Sequence, residues 1–217
     1  MVKSWRHRAR LVPVAIALAA ITLVAAAVIT WSYKKVRAKA SWAQLQTEME
    51  HRLAGSPGDA VAWVRLAVAR YGLGAYGDAV CSAEKAGELG TGSGEVWREY
   101  SIVMVESWER AQSPPVKECF RQRTKTGATR LLKLCEESAP DSMSTGTYLE
   151  NCRSAIAFFG WIGEEEQRRK AYTMALKRAR EAAESSSATE RQTGEDYLKA
   201  LSQIPGLVSP GDKASPK

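Results

Sequence analysis

The chain reads as all-α, an N-terminal transmembrane helix followed by a solenoid of helical hairpins. Three observations carry that expectation. Leu11 to Trp31 is an unbroken run without a charged residue. No Val/Ile/Thr-rich alternating stretch of the kind that builds a sheet occurs anywhere. Two tryptophans, Trp63 and Trp97, stand 34 residues apart, and each opens a stretch with helical periodicity. At 217 residues the chain is long enough for one domain, or for a short repeat array with an anchor.

Residues 1–10 form a basic tail, with Lys3, Arg6, Arg8 and Arg10. The 21 residues from Leu11 to Trp31 would make a helix about 31 Å long, enough to cross the hydrocarbon core. Trp31 and Tyr33 fall where interfacial aromatics belong. A secretory signal is the competing reading, but its apolar core runs to about 7–15 residues. Ala38-Lys39-Ala40 has the small-x-small form of a cleavage site, yet basic residues separate it from the apolar run. An uncleaved anchor, in contact with membrane lipid through residues 11–31, is therefore expected. Lys34, Lys35, Arg37 and Lys39 follow the span and match the four bases before it, so the positive-inside rule does not decide orientation.

The net charge of +7 belongs to these flanks. No acid precedes residue 41, and the remainder holds 23 Lys and Arg against 24 Asp and Glu. The bases thus meet anionic headgroups, and a nucleic-acid partner is not expected.

Residues 32–58 continue as a linker helix, with Trp42, Leu45, Met49 and Leu53 on one face until Gly55-Ser56-Pro57-Gly58-Asp59 breaks it. A helical domain spans 59–184. Its first hairpin, Asp59 to Gly90, buries Trp63, Leu66, Ala67 and the stem of Arg70, turns at the glycine-rich 72–77, and presents Ala79, Ala83 and Ala86 from its second helix. Small residues there let two backbones approach closely. The second hairpin opens with Trp97, Tyr100 and Ser101. Trp108 occupies its expected turn and Pro114-Pro115 follow, while Ala128 and Cys135 restore the pattern. An insertion near 111–125 between its two helices is the expectation. A third hairpin has Leu149, Cys152, Ile156 and Phe159 as its stripe, Gly160 and Gly163 flanking a turn, and a second helix over 164–184. There Glu164, Glu165 and Glu166 each precede a base by four residues, as solvated i,i+4 pairs. Residues 185–204 hold a capping helix, set at Glu195 to Ile204 with Leu198, Leu201 and Ile204 on one side. The Pro/Gly/Ser-rich 205–217 reads as a disordered tail.

The run from Trp63 through Leu66, Ala67, Gly74, Tyr76, Ala79 and Ala86 resembles the tetratricopeptide repeat (TPR) family, with Pro57 at the position of that family's inter-repeat proline. The resemblance implies antiparallel helix pairs stacked into a protein-binding groove. Carried onto this chain, the groove positions are Val61, Val64, Val68 and Tyr71 in the first repeat and Arg98, Ile102 and Val105 in the second. TPRs that grip a terminal carboxylate use Lys and Asn at some of these positions. Val64 and Val68 stand there instead, so the resemblance implies an apolar segment, such as an amphipathic helix or unfolded chain, as ligand. The alternative is that the linker helix folds back over these valines. Likeness to bacterial membrane-anchored TPR proteins implies a single-pass inner-membrane protein with its domain in the periplasm, acting as a scaffold for a protein partner. A second likeness, over Leu45 to Leu89, is to the TPR portion of c-type cytochrome biogenesis subunits that hold apocytochrome. Those generally have more than one span.

Lys117, Arg121, Arg123, Lys125, Arg130 and Lys133 form the one locally basic patch, suited to an acidic partner or the membrane surface. An ordinary solvated face explains such a run equally well. Cys81, Cys119, Cys135 and Cys152 contain no CxxC pair, so no zinc site is expected. In an exported domain they allow two disulfides in three connectivities; buried small side chains are the other reading. Gly90-Thr91-Gly92-Ser93-Gly94 lacks the Lys-Ser/Thr ending of a phosphate loop and reads as a turn between hairpins. His51 has no nucleophile near it in sequence, and no segment is long enough for an added catalytic domain. Neither catalysis, a metal nor a cofactor is expected.

Overall fold

The computed structural model describes residues 38–90, 92–138 and 143–207. Within them the protein is all-α, with eight helices and no strand. Residues 38–55 are helical (α1). There follow α2 (Ala60–Leu73), α3 (Tyr76–Leu89), α4 (Gly94–Arg110), α5 (Pro114–Glu137), α6 (Thr145–Ile162), α7 (Glu165–Ala183) and α8 (Ala188–Leu201). No helix among the described residues is long and apolar enough to cross a membrane. The basic tail and the span expected at Leu11–Trp31 lie outside the described residues.

Four helices start in the same way. Asp59, Ser93, Ser144 and Ser187 are the N-caps of α2, α4, α6 and α8, and each side-chain oxygen accepts a hydrogen bond from the backbone N–H three residues on. A short polar side chain at this position satisfies one of the helix's orphan donors. Helices α3, α5 and α7 have no such cap. The alternation marks three hairpins, α2–α3, α4–α5 and α6–α7, closed by α8. Gly74 and Gly163, at φ 89° and 79°, end α2 and α6 in the left-handed conformation that glycine adopts without strain.

Each hairpin packs on the next. Helix α2 touches α4, α4 touches α6 and α6 touches α8, which makes one continuous layer. On the opposite side α3 reaches α5 through the Glu84–Arg123 ion pair at 2.6 Å, and α5 reaches α7 through Glu136–Lys170 at 2.5 Å. The layer of first helices is the tighter one and therefore the inner one. Between the layers runs a single core in which Val64, Ala83, Val103, Met104, Leu131, Leu149 and Phe159 are at most 2 % exposed. A satellite cluster of Met49, Leu53, Ala62 and Leu66 joins α1 to α2.

Several expectations need correction. The insertion expected near 111–125 does not stand between the two helices as a separate segment; the extra length lies in the helices themselves. Helix α4 runs on through Trp108 to Arg110, and 114–125 are the first half of the 24-residue α5. The two prolines sit at its first positions, where a missing N–H costs nothing. The extension is held by Trp108, which meets Trp161 edge-on at 4.6 Å, and by Arg121 donating to the Ile162 carbonyl at 3.4 Å. Gly160 lies inside α6 and flanks no turn; a Cβ there would stand 2.9 Å from Nε of Arg168, which crosses over it. The glutamates that open α7 pair mostly off-pattern. Glu164 meets Lys125 at 2.6 Å, Lys170 meets Glu136, and Arg168 meets Glu165 at i,i+3; only Glu165–Arg169, at 3.7 Å, follows i,i+4. The last helix begins at Ala188 because Ser187 caps it. Residues 205–207 of the expected tail pack back, with the Pro205 carbonyl accepting from Arg168 at 3.2 Å and Leu207 against the core.

Candidate functional site

The seven nominated groove residues lie on α2 and α4, adjacent helices of the inner layer. The two helices are tied by Arg65–Glu95 at 2.8 Å and by the Tyr71 hydroxyl, which donates to Glu106 at 2.9 Å. Their side chains do not form one uniform apolar strip. Val64 is fully buried in the main core and lines no surface. Val61, Val68 and Val105 are half-buried, and Ile102 is 43 % exposed. Tyr71 is held on three sides, because it also accepts from Arg110 Nε at 2.6 Å and packs on Tyr76 at 5.0 Å. Burial raises its phenol pKa, against the pull of Arg110. Arg98 reaches across to α6 and donates to Asn151 Oδ1 at 2.8 Å, so it ties α4 to α6. Val61, Val64 and Val68 pack with the main core and not with the cluster that holds α1. Helix α1 packs on the Ala62–Leu66 side of α2, with the Trp42 ring against Gly72.

The caps supply a register that the sequence pattern lacked for the third hairpin. Counted from Asp59, Ser93 and Ser144, the positions of Val68, Ile102 and Arg153 are equivalent. The inner face thus grades from aliphatic on α2 and α4 to cationic on α6. Arg153 is exposed and pairs with Glu150 at 2.8 Å. Its stem lines a cavity of about 470 Å³ between α6 and α8, with Ile156, Tyr197, Leu201 and Ile204 as apolar wall and Arg168 from α7. The Arg168 Nε is buried there without a hydrogen-bond partner. This cavity was missed from sequence. Its walls come from α6, α7 and α8, and only the cap serines, at Ser144 and Ser187, carry a local signal for where α6 and α8 begin.

The six residues of the basic patch do lie along α5, but each has a partner. Arg121 pairs with Glu118 at 2.8 Å, Arg123 with Glu84, Lys125 with Glu164 and Lys133 with Glu137 at 3.3 Å. Lys117 sits 4.7 Å from the Trp108 ring centre and Arg130 5.8 Å from that of Trp97, within cation–π range. The hydrogen bonds from Arg121 and Gln122 draw the Glu118 carboxyl down to about 2. Four acids offset four of the six charges, which weakens the field that would steer an acidic partner or a headgroup.

His51 is exposed on α1, and among the described residues no three His, Cys, Asp or Glu side chains gather as metal ligands. The Gly90–Gly94 segment serves as the connection between hairpins, with Ser93 as cap of α4. No family model, curated protein or solved structure matches the chain.

Proposed function

We propose that the chain is a membrane-anchored, TPR-like scaffold whose inner face on α2 and α4 holds an apolar segment of a protein partner. The observation that carries this reading is Ile102, a large aliphatic side chain left 43 % exposed at the centre of a layer whose equivalent position on α2 is the aliphatic Val68. An isolated exposed aliphatic is ordinary; Ile102 beside the half-buried Val68 at the equivalent position makes an adjoining pair that a docked amphipathic segment can cover. The repeated caps and the place of Trp63 and Trp97, each the fourth residue of its helix, support the repeat reading. The anchor at 11–31 confines the groove to the membrane surface, with the helical domain on the periplasmic side of the inner membrane. Confinement raises the effective concentration toward membrane-bound partners without a new contact.

A photo-crosslinking residue placed at 102 in the detergent-solubilised full chain is expected to capture a partner that the same residue at Thr173, exposed on α7, does not. Val68→Asp with Ile102→Asp is expected to abolish the adduct while helicity is retained. Equal capture at both sites, or capture that survives the double substitution, would overturn the groove. A reporter fused after Lys217 that is active only in the cytoplasm would overturn the orientation.

A further inference from the structure

The turns of the three hairpins lie at one end of the stack. Helices α2, α4 and α6 run in the same direction, as Arg65–Glu95 and Tyr71–Glu106 show for the first two and Arg98–Asn151 and Trp108–Trp161 for the next. Helix α1 runs the other way, because Trp42, near its start, packs on Gly72, near the end of α2. Ala38, the first described residue of α1, is therefore at the turn end as well. The α4–α5 turn reaches well past α6 there. Arg121 bonds to the carbonyl of Ile162, the last residue of α6, so residues 114–120 overhang that helix by about 10 Å. The glutamates that open α7 are set back behind the overhang, since Glu164 pairs with Lys125.

Among the described residues three large hydrophobic side chains are exposed, and two of them are at this end. Val116, on the overhang, is 46 % exposed, and Tyr76, at the first position of α3, is 39 % exposed. The third is Ile102. Each of the two has a base beside it that is held over an aromatic ring. Lys117 lies over Trp108, and the Arg110 guanidinium stands 4.2 Å from the centre of the Tyr76 ring itself. The Arg110 contact joins the last residue of α4 to the first of α3, which sets the two turns level. Of the acids nearby, Glu106 is engaged by the Tyr71 hydroxyl and Glu118 by Arg121, while Asp78 and Glu109 are exposed. The end thus carries no strong field of either sign. Aromatic rings, an exposed aliphatic and long bases alongside them suit the boundary between lipid headgroups and acyl chains.

We infer that the turn end of the domain is a second membrane contact, in which Tyr76 and Val116 enter the headgroup boundary of the bilayer and Arg110 and Lys117 lie at the level of the phosphates. The inference rests on the reading of residues 11–31 as an anchor. Only residues 32–37 part that apolar run from Ala38, and even at full extension they hold Ala38 within about 25 Å of Trp31. The end of the stack that carries the exposed rings is thus the end tethered next to the bilayer. Apolar insertion makes the contact, and charge adds little to it. The contact stands the stack on its turns and puts Ile102, eight residues before Arg110 on α4, about 12 Å above the surface. The α2–α4 face is then open to the juxtamembrane segment of a membrane-bound partner.

The test uses the full chain in phosphatidylcholine vesicles, with Cys81→Ser and Cys119→Ser to remove the exposed thiols; Cys135 and Cys152 are buried. An environment-sensitive fluorophore is attached at one site at a time, through Val116→Cys, Tyr76→Cys, Glu88→Cys or Ala20→Cys. Lipids with a nitroxide on the acyl chain serve as quencher. Glu88 is exposed near the other end of α3. Probes at 76 and 116 are expected to shift to the blue and lose fluorescence to the nitroxide lipid, as the probe at 20 does, while the probe at 88 does neither. High salt is expected to leave the quenching at 116 unchanged, because screening weakens attraction between charges and not apolar insertion. Quenching at 20, with 76 and 116 behaving like 88, would overturn the contact and leave the anchor standing. No quenching at 20 would overturn the anchor and, with it, the contact. A blue-shifted probe at 116 that the nitroxide lipid does not quench means that protein covers this end, a second copy or a partner, and overturns the contact as well. Quenching at 116 that disappears in high salt would overturn the apolar mode of binding.

Discussion

The first and second hairpins begin alike and end differently. Both open with a short polar cap and a tryptophan at the fourth helical position. Helices α2 and α3 then stop after 14 residues each, and α3 buries only Ala79, Ser82, Ala83 and Ala86. Helices α4 and α5 run to 17 and 24 residues, and α5 adds Leu131 and Leu132 to a small-residue stretch at Gly127 and Ala128. The short hairpin is held by close approach of two backbones over alanine. The long one needs large aliphatic side chains in its core and a second set of contacts where it outruns its neighbour. Trp108 on Trp161 and Lys125 on Glu164 supply those contacts from the third hairpin. Length beyond the repeat is thus accommodated by the next unit in the stack.

If that contrast holds, the two hairpins fail in opposite ways. Leu131→Ala opens a void in the long hairpin and is expected to lower unfolding free energy by about 2–5 kcal/mol. Ala83→Leu overfills the short one and is expected to cost about 1–3 kcal/mol, because a fully buried alanine between two helices leaves no room for three more carbons. Denaturant midpoints at constant slope measure both; an Ala83→Leu protein as stable as its parent would remove the close-packing account of α3.

A smaller effect separates the two caps. Asp59→Ala and Ser93→Ala are each expected to cost about 1 kcal/mol at neutral pH. Only Asp59 ionises. The Ala62 N–H first, and then Arg52 at 2.6 Å, hold its carboxyl below the ordinary value of 3.8. A carboxyl with a depressed folded pKa contributes stability that is full above its unfolded pKa and is lost as pH falls through the folded one. The parent and Ser93→Ala should therefore lose this contribution together below about pH 4, whereas Asp59→Ala should lack that part of the acid decline. Parallel acid-denaturation curves for all three would show that Asp59 acts through shape alone.

Helix positions and the core were legible wherever local patterns decide them. Leu149, Cys152, Ile156 and Phe159 announce the buried face of α6 by spacing, and all four are buried. The extent of α5 was not legible, because two prolines look the same at a helix start as at a break until the preceding chain is placed. The burial of the valines on α2 was legible only in part. Val64 and Val68 are equally apolar in sequence, yet Val64 is in the core and Val68 at its edge. The basic run on α5 showed its own charges and concealed the acids that answer them, since Glu84 and Glu164 lie on other helices.

The sequence alone determined the helical class and the small-residue faces, because periodicity and side-chain volume act over a few residues. Only the tertiary structure decided which valine is buried in the core and which acids answer the bases of α5. Those depend on what the neighbouring hairpin places opposite, at sequence separations that no local pattern spans.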